Sequence, residues 1–119
     1  MNETDYIRLV LAAYRRTPTT TGRVHRPDRI LAAALYRRGI PLGVVENALV
    51  LAASRRLYRD LNAPPLPPVR SLNYFLAVIE EVLTLKVSPA YFEHLRYKIH
   101  HFDEIKQRFL APQKSPASD

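Results

Sequence analysis

Apolar residues recur at helical spacing in five segments of the chain, and prolines, glycines or short polar stretches separate these segments. The segments lie at about 4–16, 27–39, 41–60, 72–86 and 89–110. Pro27 suits the first turn of the second segment, and Gly39 suits a left-handed helix end. The pattern therefore predicts an all-α fold, a compact bundle of about five helices.

The third helix is the predicted centre of this bundle. Its middle, VVENALVLAAS at residues 44–54, is apolar nearly all the way round apart from Glu46, Asn47 and Ser54. A helix with that profile is normally enclosed by its neighbours. The other helices each carry one apolar stripe. The stripes lie at Ile7, Val10, Leu11 and Tyr14, at Ile30, Ala34 and Leu35 with Leu31 as a further candidate, at Leu72, Phe75, Leu76, Ile79 and Leu83, and at Phe92, Leu95, Ile99, Phe102, Ile105 and Phe109.

A single domain accounts for nearly the whole chain. The 119 residues, of which 47% are hydrophobic, are enough to bury a modest core. We predict one helical domain at 1–111 and a disordered tail at 112–119 (PQKSPASD). The proline-rich stretch at 62–68 cannot continue a helix, so it is predicted to form a semi-rigid extended connector inside the domain.

The net charge of +7 is unevenly distributed. Residues 1–70 hold twelve arginines, no lysine and five acidic residues, a net charge of +7, whereas residues 71–119 are neutral. This asymmetry predicts one basic face that attracts polyanions. A GC-rich genome would also favour arginine, but lysine outnumbers arginine in the neutral part.

Residues 29–56 have the outline of a helix-turn-helix: an alanine-rich helix, a glycine turn, Ile40 beneath the turn, and a second helix. The segment resembles the helix-turn-helix-like modules of plasmid and mobile-element replication or recombination proteins. Their pattern is a short arginine-rich helix, a Gly-Ile-Pro-Leu-like turn and a long apolar helix. The match covers about a quarter of the chain, with a weaker echo in VRSLNYFLAVIEEV at 69–82. It implies a DNA-binding role.

The second helix departs from a DNA-reading pattern. Its first turns hold Pro41, Leu42, Gly43, Glu46, Asn47 and Val50, of which Asn47 alone suits a base edge. We therefore expect mainly arginine–phosphate contacts, which are salt-sensitive and weakly sequence-specific, with DNA favoured over RNA. The predicted nucleic-acid-binding residues are Arg23, Arg26, Arg29, Arg37, Arg38, Asn47, Arg55, Arg56 and Arg59.

No pattern in the chain indicates catalysis. There is no cysteine, and no nucleophile motif, phosphate-binding loop or dinucleotide fingerprint. The four histidines lack the close ligand pairs of a zinc site. We expect no enzyme activity, no cofactor and no metal. The N-terminus has no signal-peptide pattern and no segment is long enough to cross a membrane, so a cytoplasmic protein without membrane contact is expected.

A protein–protein adaptor or structural subunit of a nucleic-acid-processing complex is the alternative function. The third helix is more apolar than a monomer of this size needs, so a protein partner or a second copy would cover part of it. The fifth helix adds the aromatic residues Tyr91, Phe92, Tyr97, Phe102 and Phe109.

Overall fold

Helices make up the regular structure of the chain. A computed structural model describes residues 1–59, 62–85 and 88–114, and their side chains as far as residue 102. The elements are α1 (Glu3–Arg16), α2 (Arg26–Arg37), α3 (Leu42–Leu57), a 3₁₀ turn (Leu72–Phe75), α4 (Leu76–Thr84) and α5 (Pro89–Lys114). The all-α bundle of five helices predicted from the sequence is confirmed.

α3 is the centre of the bundle, as its composition predicts. It packs against α1, α4 and α5, so apolar side chains on several sides of it lose contact with water. Its buried residues are Val45, Ala48, Leu49, Leu51, Ala52, Ala53 and Ser54. α2 lies at the periphery, and its main neighbours are α1 and the 3₁₀ turn.

The glycine corner between α2 and α3 is present. Gly39 has a φ of 74°, the left-handed conformation that glycine adopts without steric cost. The N–H of Ile40 donates to the Leu35 carbonyl at 3.1 Å, and the Ile40 side chain is only 5% exposed. The buried Tyr6 hydroxyl donates to the Ile40 carbonyl at 2.7 Å, which fixes the corner against α1.

This contact predicts different effects for two buried tyrosines. Tyr6→Phe leaves the Ile40 carbonyl without its donor and should lower the free energy of unfolding by about 1–2 kcal/mol. Tyr14→Phe is the comparison, because the buried Tyr14 hydroxyl has no hydrogen bond of normal geometry to the residues described, with the Thr21 side chain as its one near partner. Its removal should cost less than the loss of the Tyr6 hydroxyl. Urea unfolding of both variants measures the difference, and an equal loss would show that the Tyr6 bond contributes nothing.

The buried face of α2 differs from the prediction. Ile30, expected in the core, is 59% exposed, while Asp28, Ala32 and Leu35 are buried. Those three residues share one face of a helix. Asp28 decides which face turns inward, because its carboxylate accepts a hydrogen bond from the Leu72 N–H at 2.9 Å.

The fourth helical segment is also different, because it begins as a 3₁₀ turn and not as an α-helix. The Tyr74 N–H bonds to the Ser71 carbonyl, the tighter pattern of a 3₁₀ turn, in which each residue advances by about 120°. The change of phase places Val82 in the core and leaves Leu83, a predicted core residue, 42% exposed.

The last helix, α5, extends into the segment that the sequence predicts as a disordered tail. Residues 112–114 of the predicted tail belong to α5, which runs to Lys114, and 115–119 lie outside the described residues. The core positions predicted at Ile105 and Phe109 likewise lie beyond the last side chain described. In the described part of the chain, no helix is both long and apolar enough to span a membrane.

Candidate nucleic-acid interface

Threonines fix the loop between α1 and α2 against the end of α1. The Thr17 hydroxyl donates to the Ala13 carbonyl at 2.7 Å, and the Thr20 hydroxyl donates to the Thr17 carbonyl at 3.0 Å. The last carbonyls of a helix have no partner within the helix, so hydroxyl donors there stabilise both the helix end and the loop. The threonine run is therefore an ordered cap.

The same loop is held by the segment that precedes the 3₁₀ turn. The Thr21 N–H donates to the Val69 carbonyl at 2.9 Å, and the Val69 N–H donates to the Thr19 carbonyl at 2.8 Å. These two bonds form a short parallel bridge, and the Val69 side chain beside it is buried. The bridge joins parts of the chain that are about fifty residues apart.

Asp28 makes the third connection. Its side chain is 2% exposed, and its two carboxylate oxygens accept hydrogen bonds from the N–H of His25 at 2.8 Å and of Leu72 at 2.9 Å. A buried carboxylate is tolerated when its oxygens are hydrogen-bonded in this way. Asp28 thereby joins the first turn of α2 to the start of the 3₁₀ turn.

These contacts bring the backbone positions of five arginines close together. Arg23, Arg26, Arg29 and Arg70 each lie within two residues of Thr21, Asp28 or Val69. Arg15 lies against the same loop, because its carbonyl oxygen is 3.9 Å from the position that a Cβ on Gly22 would take. All five side chains are exposed, and none forms an ion pair with a described carboxylate. We call Arg15, Arg23, Arg26, Arg29 and Arg70 the basic end.

Three of the nine predicted site residues belong to the basic end, and three others are ion-paired elsewhere. Arg37 contacts Glu3 at 3.4 Å, and Arg38 contacts Glu80 at 2.7 Å. Arg55 makes two hydrogen bonds to the Glu81 carboxylate, at 2.8 and 2.5 Å. These contacts join α2 to α1, the residue that caps α2 to α4, and α3 to α4, so the three guanidinium groups are engaged within the fold.

Arg56 and Arg59 hold the proline-rich connector. Arg56 donates to the Pro67 carbonyl at 2.5 Å and to the Tyr74 hydroxyl at 3.1 Å, and it stacks over the Tyr74 ring. Arg59 donates to the Pro64 carbonyl at 2.8 Å. Both cations lack a described carboxylate partner and line a groove of about 440 Å³ that reaches the loop between α1 and α2. They extend the positive surface beside the basic end.

Asn47 is occupied by a contact between helices. Its side-chain oxygen accepts a hydrogen bond from Arg96 of α5 at 2.7 Å, in a half-buried position. A base edge would have to displace Arg96 to reach it.

Two arginines of the basic end, Arg15 and Arg70, are absent from the sequence-based set. Arg70 is distant from Arg29 along the chain, and the Val69 and Leu72 hydrogen bonds bring it close. No local sequence pattern predicts that these two segments of the chain lie close together. The paired arginines at Arg15 and Arg16, in the last turn of α1 just before the capped loop, were the available sign.

The Arg55–Glu81 contact has a pH dependence. Hydrogen bonds from Arg55 lower the pKa of the Glu81 carboxyl, which is about 4.3 in an unfolded chain. Because the folded pKa is the lower one, this contact stabilises the protein above the unfolded pKa and is lost as pH falls through the folded pKa.

We expect the free energy of unfolding to be higher for wild type than for Glu81→Gln at neutral pH. This difference, the stability gap, should close as pH falls below about 4. Urea unfolding across this pH range measures the gap. Glu93→Gln is the control, because Glu93 makes a looser contact, 3.5 Å from Arg96. A gap for Glu81→Gln that is the same at all pH values would contradict the assignment.

A second groove, of about 540 Å³, lies where α1, α3 and α5 meet. Its floor is apolar, with Leu49 and Val50 of α3 among its residues. Its rim carries both signs of charge, at Arg16, Arg96, Glu46 and Glu93. Its acidic residues distinguish this groove from the basic end, which is defined by arginines alone.

Among the described residues, no three histidine or acidic side chains lie together as metal ligands would. His101 stacks on the Tyr97 ring with the two planes 5° apart.

Comparisons of the chain with protein families, curated protein sequences and solved structures gave no match. The fold and the candidate site define the class, a helical protein with a group of exposed arginines that have no described carboxylate partner.

Proposed function

We propose that the chain is a small DNA-binding accessory protein that grips the phosphate backbone through its basic end. The observation that supports this most is the local excess of charge: five exposed guanidinium groups without a described carboxylate partner lie where three backbone segments are hydrogen-bonded together. Guanidinium groups fit phosphate oxygens bidentately. The resemblance of 29–56 to mobile-element and plasmid modules supports the same proposal.

The electrostatics of the basic end favour an anion. Asp28 is the single acidic residue within 15–30 and 69–72, and its oxygens are buried on backbone N–H groups. The N-terminus of α2 adds the positive end of a helix dipole. Arg56 and Arg59 add two more cations at the connector. No exposed acidic residue lies within 15–30 or 69–72, so the field of these arginines favours phosphates.

The salt dependence of DNA binding tests the proposal. If the five arginines of the basic end each contact one phosphate, the slope of log K against log [salt] should be about −4.5. A short labelled duplex titrated between about 50 and 200 mM salt gives this slope. Duplex RNA and single strands of equal length test the expected preference for DNA. A flat salt response, or no binding at the lowest salt, would overturn the proposal.

A protein–protein adaptor is the second candidate, and exposed aromatic rings on α5 favour it. Tyr97 is 65% exposed and Tyr91 is 44% exposed, and exposed aromatic side chains are typical of protein interfaces. Light scattering after size exclusion tests the case in which a second copy is the partner. A monomer at all concentrations would exclude that case.

A further inference from the structure

The outer face of α2 is a stripe of mostly exposed side chains. At 100° per residue, five residues fall within an arc of about 100° on this helix. Four of them are exposed and Ala33 is half-buried; the exposed residues are Arg26, Arg29, Ile30 and Arg37. Asp28, Ala32 and Leu35 are buried on the opposite face, so the direction of the stripe is fixed by the packing of α2 on α1 and the 3₁₀ turn.

α2 can approach a large partner, whereas α3 cannot. α3 is enclosed by α1, α4 and α5, and its Asn47 is already bonded to Arg96. α2 is about 18 Å long at 1.5 Å per residue, and on its outer face only Arg37, at the C-terminal end, makes an ion pair with another described element, through Glu3 of α1. A helix with side chains is about 10–12 Å wide, close to the width of about 12 Å of the DNA major groove.

The free positive charge on α2 is concentrated in its first half. Arg26 and Arg29 have no described carboxylate partner, whereas Arg37 is paired with Glu3 and Arg38 with Glu80. Phosphates line both sides of a DNA groove. Arginines without a described carboxylate partner therefore favour the approach of this half of α2 to the groove. Arg23 precedes this half of α2 by three residues, and the hydrogen bond from Leu72 to Asp28 brings the segment of Arg70 to it.

Ile30 lies between these arginines and is 59% exposed. A large apolar side chain in the middle of a cationic stripe is unsuited to a phosphate contact. In the major groove, the thymine methyl group is the apolar feature of a base pair, and guanine presents two acceptors to an arginine. The stripe therefore combines an apolar side chain that suits the thymine methyl group with arginines that suit the guanine acceptors.

We infer that the first half of α2 enters the major groove of duplex DNA, with Ile30 against a thymine methyl group and Arg26 or Arg29 donating to guanine. This inference rests on the proposed function and deepens it. It adds a sequence preference, for guanine and thymine under α2, to binding that phosphate contacts dominate.

The thymine methyl group supplies the test. A preferred duplex is first selected from a random library with the full-length protein. Thymines in that duplex are then replaced one at a time by deoxyuridine, which removes only the methyl group. Wild type should lose about fourfold in affinity at the contacted thymine, the value expected for one buried methyl group.

The Ile30→Ala variant should be insensitive to that replacement. Ile30 is exposed, so the variant is expected to fold, and Leu83→Ala is the matched control because Leu83 is an exposed leucine on α4. The control should respond to deoxyuridine as wild type does. Equal sensitivity of wild type and Ile30→Ala would overturn the assignment of Ile30.

The two proposals fail differently in this experiment. Salt-dependent binding without any base preference would overturn the role of α2 and leave the phosphate-binding proposal standing. Absence of binding to any duplex would overturn both. Tighter binding to single strands than to duplex would also overturn the role of α2, because a single strand has no major groove.

Discussion

Replacing Arg23, Arg26 and Arg29 together by glutamine should weaken duplex binding by about 100-fold or more at about 0.1 M salt. Each guanidinium that contacts a phosphate releases about 0.9 of a counterion. Three lost phosphate contacts should therefore reduce the salt slope by about 2.7, which corresponds to a few hundredfold at this salt concentration. If one of the three contacts guanine, the slope falls by about 1.8 and the lost base contact adds to the loss of affinity. Fluorescence anisotropy of a labelled duplex measures both quantities.

A second triple variant, Arg37→Gln, Arg38→Gln and Arg55→Gln, removes the same formal charge. These arginines are paired with Glu3, Glu80 and Glu81, so their loss should change affinity much less, by about fivefold or below. Circular dichroism confirms that each variant is folded before it is titrated. Equal losses for the two triple variants would show that binding follows net charge and that the basic end has no special role.

Asp28→Ala should lower the free energy of unfolding by about 3–4 kcal/mol. The carboxylate accepts from the N–H groups of His25 and Leu72, and both lose their acceptor when it is removed. An unsatisfied buried donor costs about 1–3 kcal/mol. Because these bonds also join the loop before α2 to the 3₁₀ turn, the loss should be larger than for most surface changes.

Two other variants separate the explanations for such a loss. Asp28→Asn keeps one acceptor oxygen and should lose less than Asp28→Ala. Asp5→Ala removes an exposed carboxylate on α1 and should stay within about 0.5 kcal/mol of wild type. Urea unfolding measures all three. A loss below about 1 kcal/mol for Asp28→Ala would mean that water replaces the carboxylate and that Asp28 does not hold this end together.

Features set by local sequence were predictable. α3 is enclosed because its own composition is apolar on nearly every side, and the corner at Gly39 follows from a glycine directly after two arginines. The exposed face of α2 was not predictable in this way. Ile30 looks like a core residue by periodicity, and the hydrogen bond between Asp28 and Leu72 turns it outward.

The candidate site was only partly predictable for the same reason. Charge counting identified an arginine-rich half, but it could not separate Arg55, which is paired with Glu81, from Arg23, which has no described carboxylate partner. That separation depends on contacts between residues far apart in the chain. Arg70 joins the basic end through the bridge between Val69 and Thr19, which has no sequence signature.

Contact between the basic end and the phosphate backbone is tested most directly by titration of ¹⁵N-labelled protein with a short duplex, followed by amide chemical shifts. We expect shifts for residues 15–30 and 69–72 that weaken as salt is raised, with α4 and the start of α5 unchanged. Shifts confined to α5 around Tyr91 and Tyr97, or no shifts at all at low salt, would contradict it.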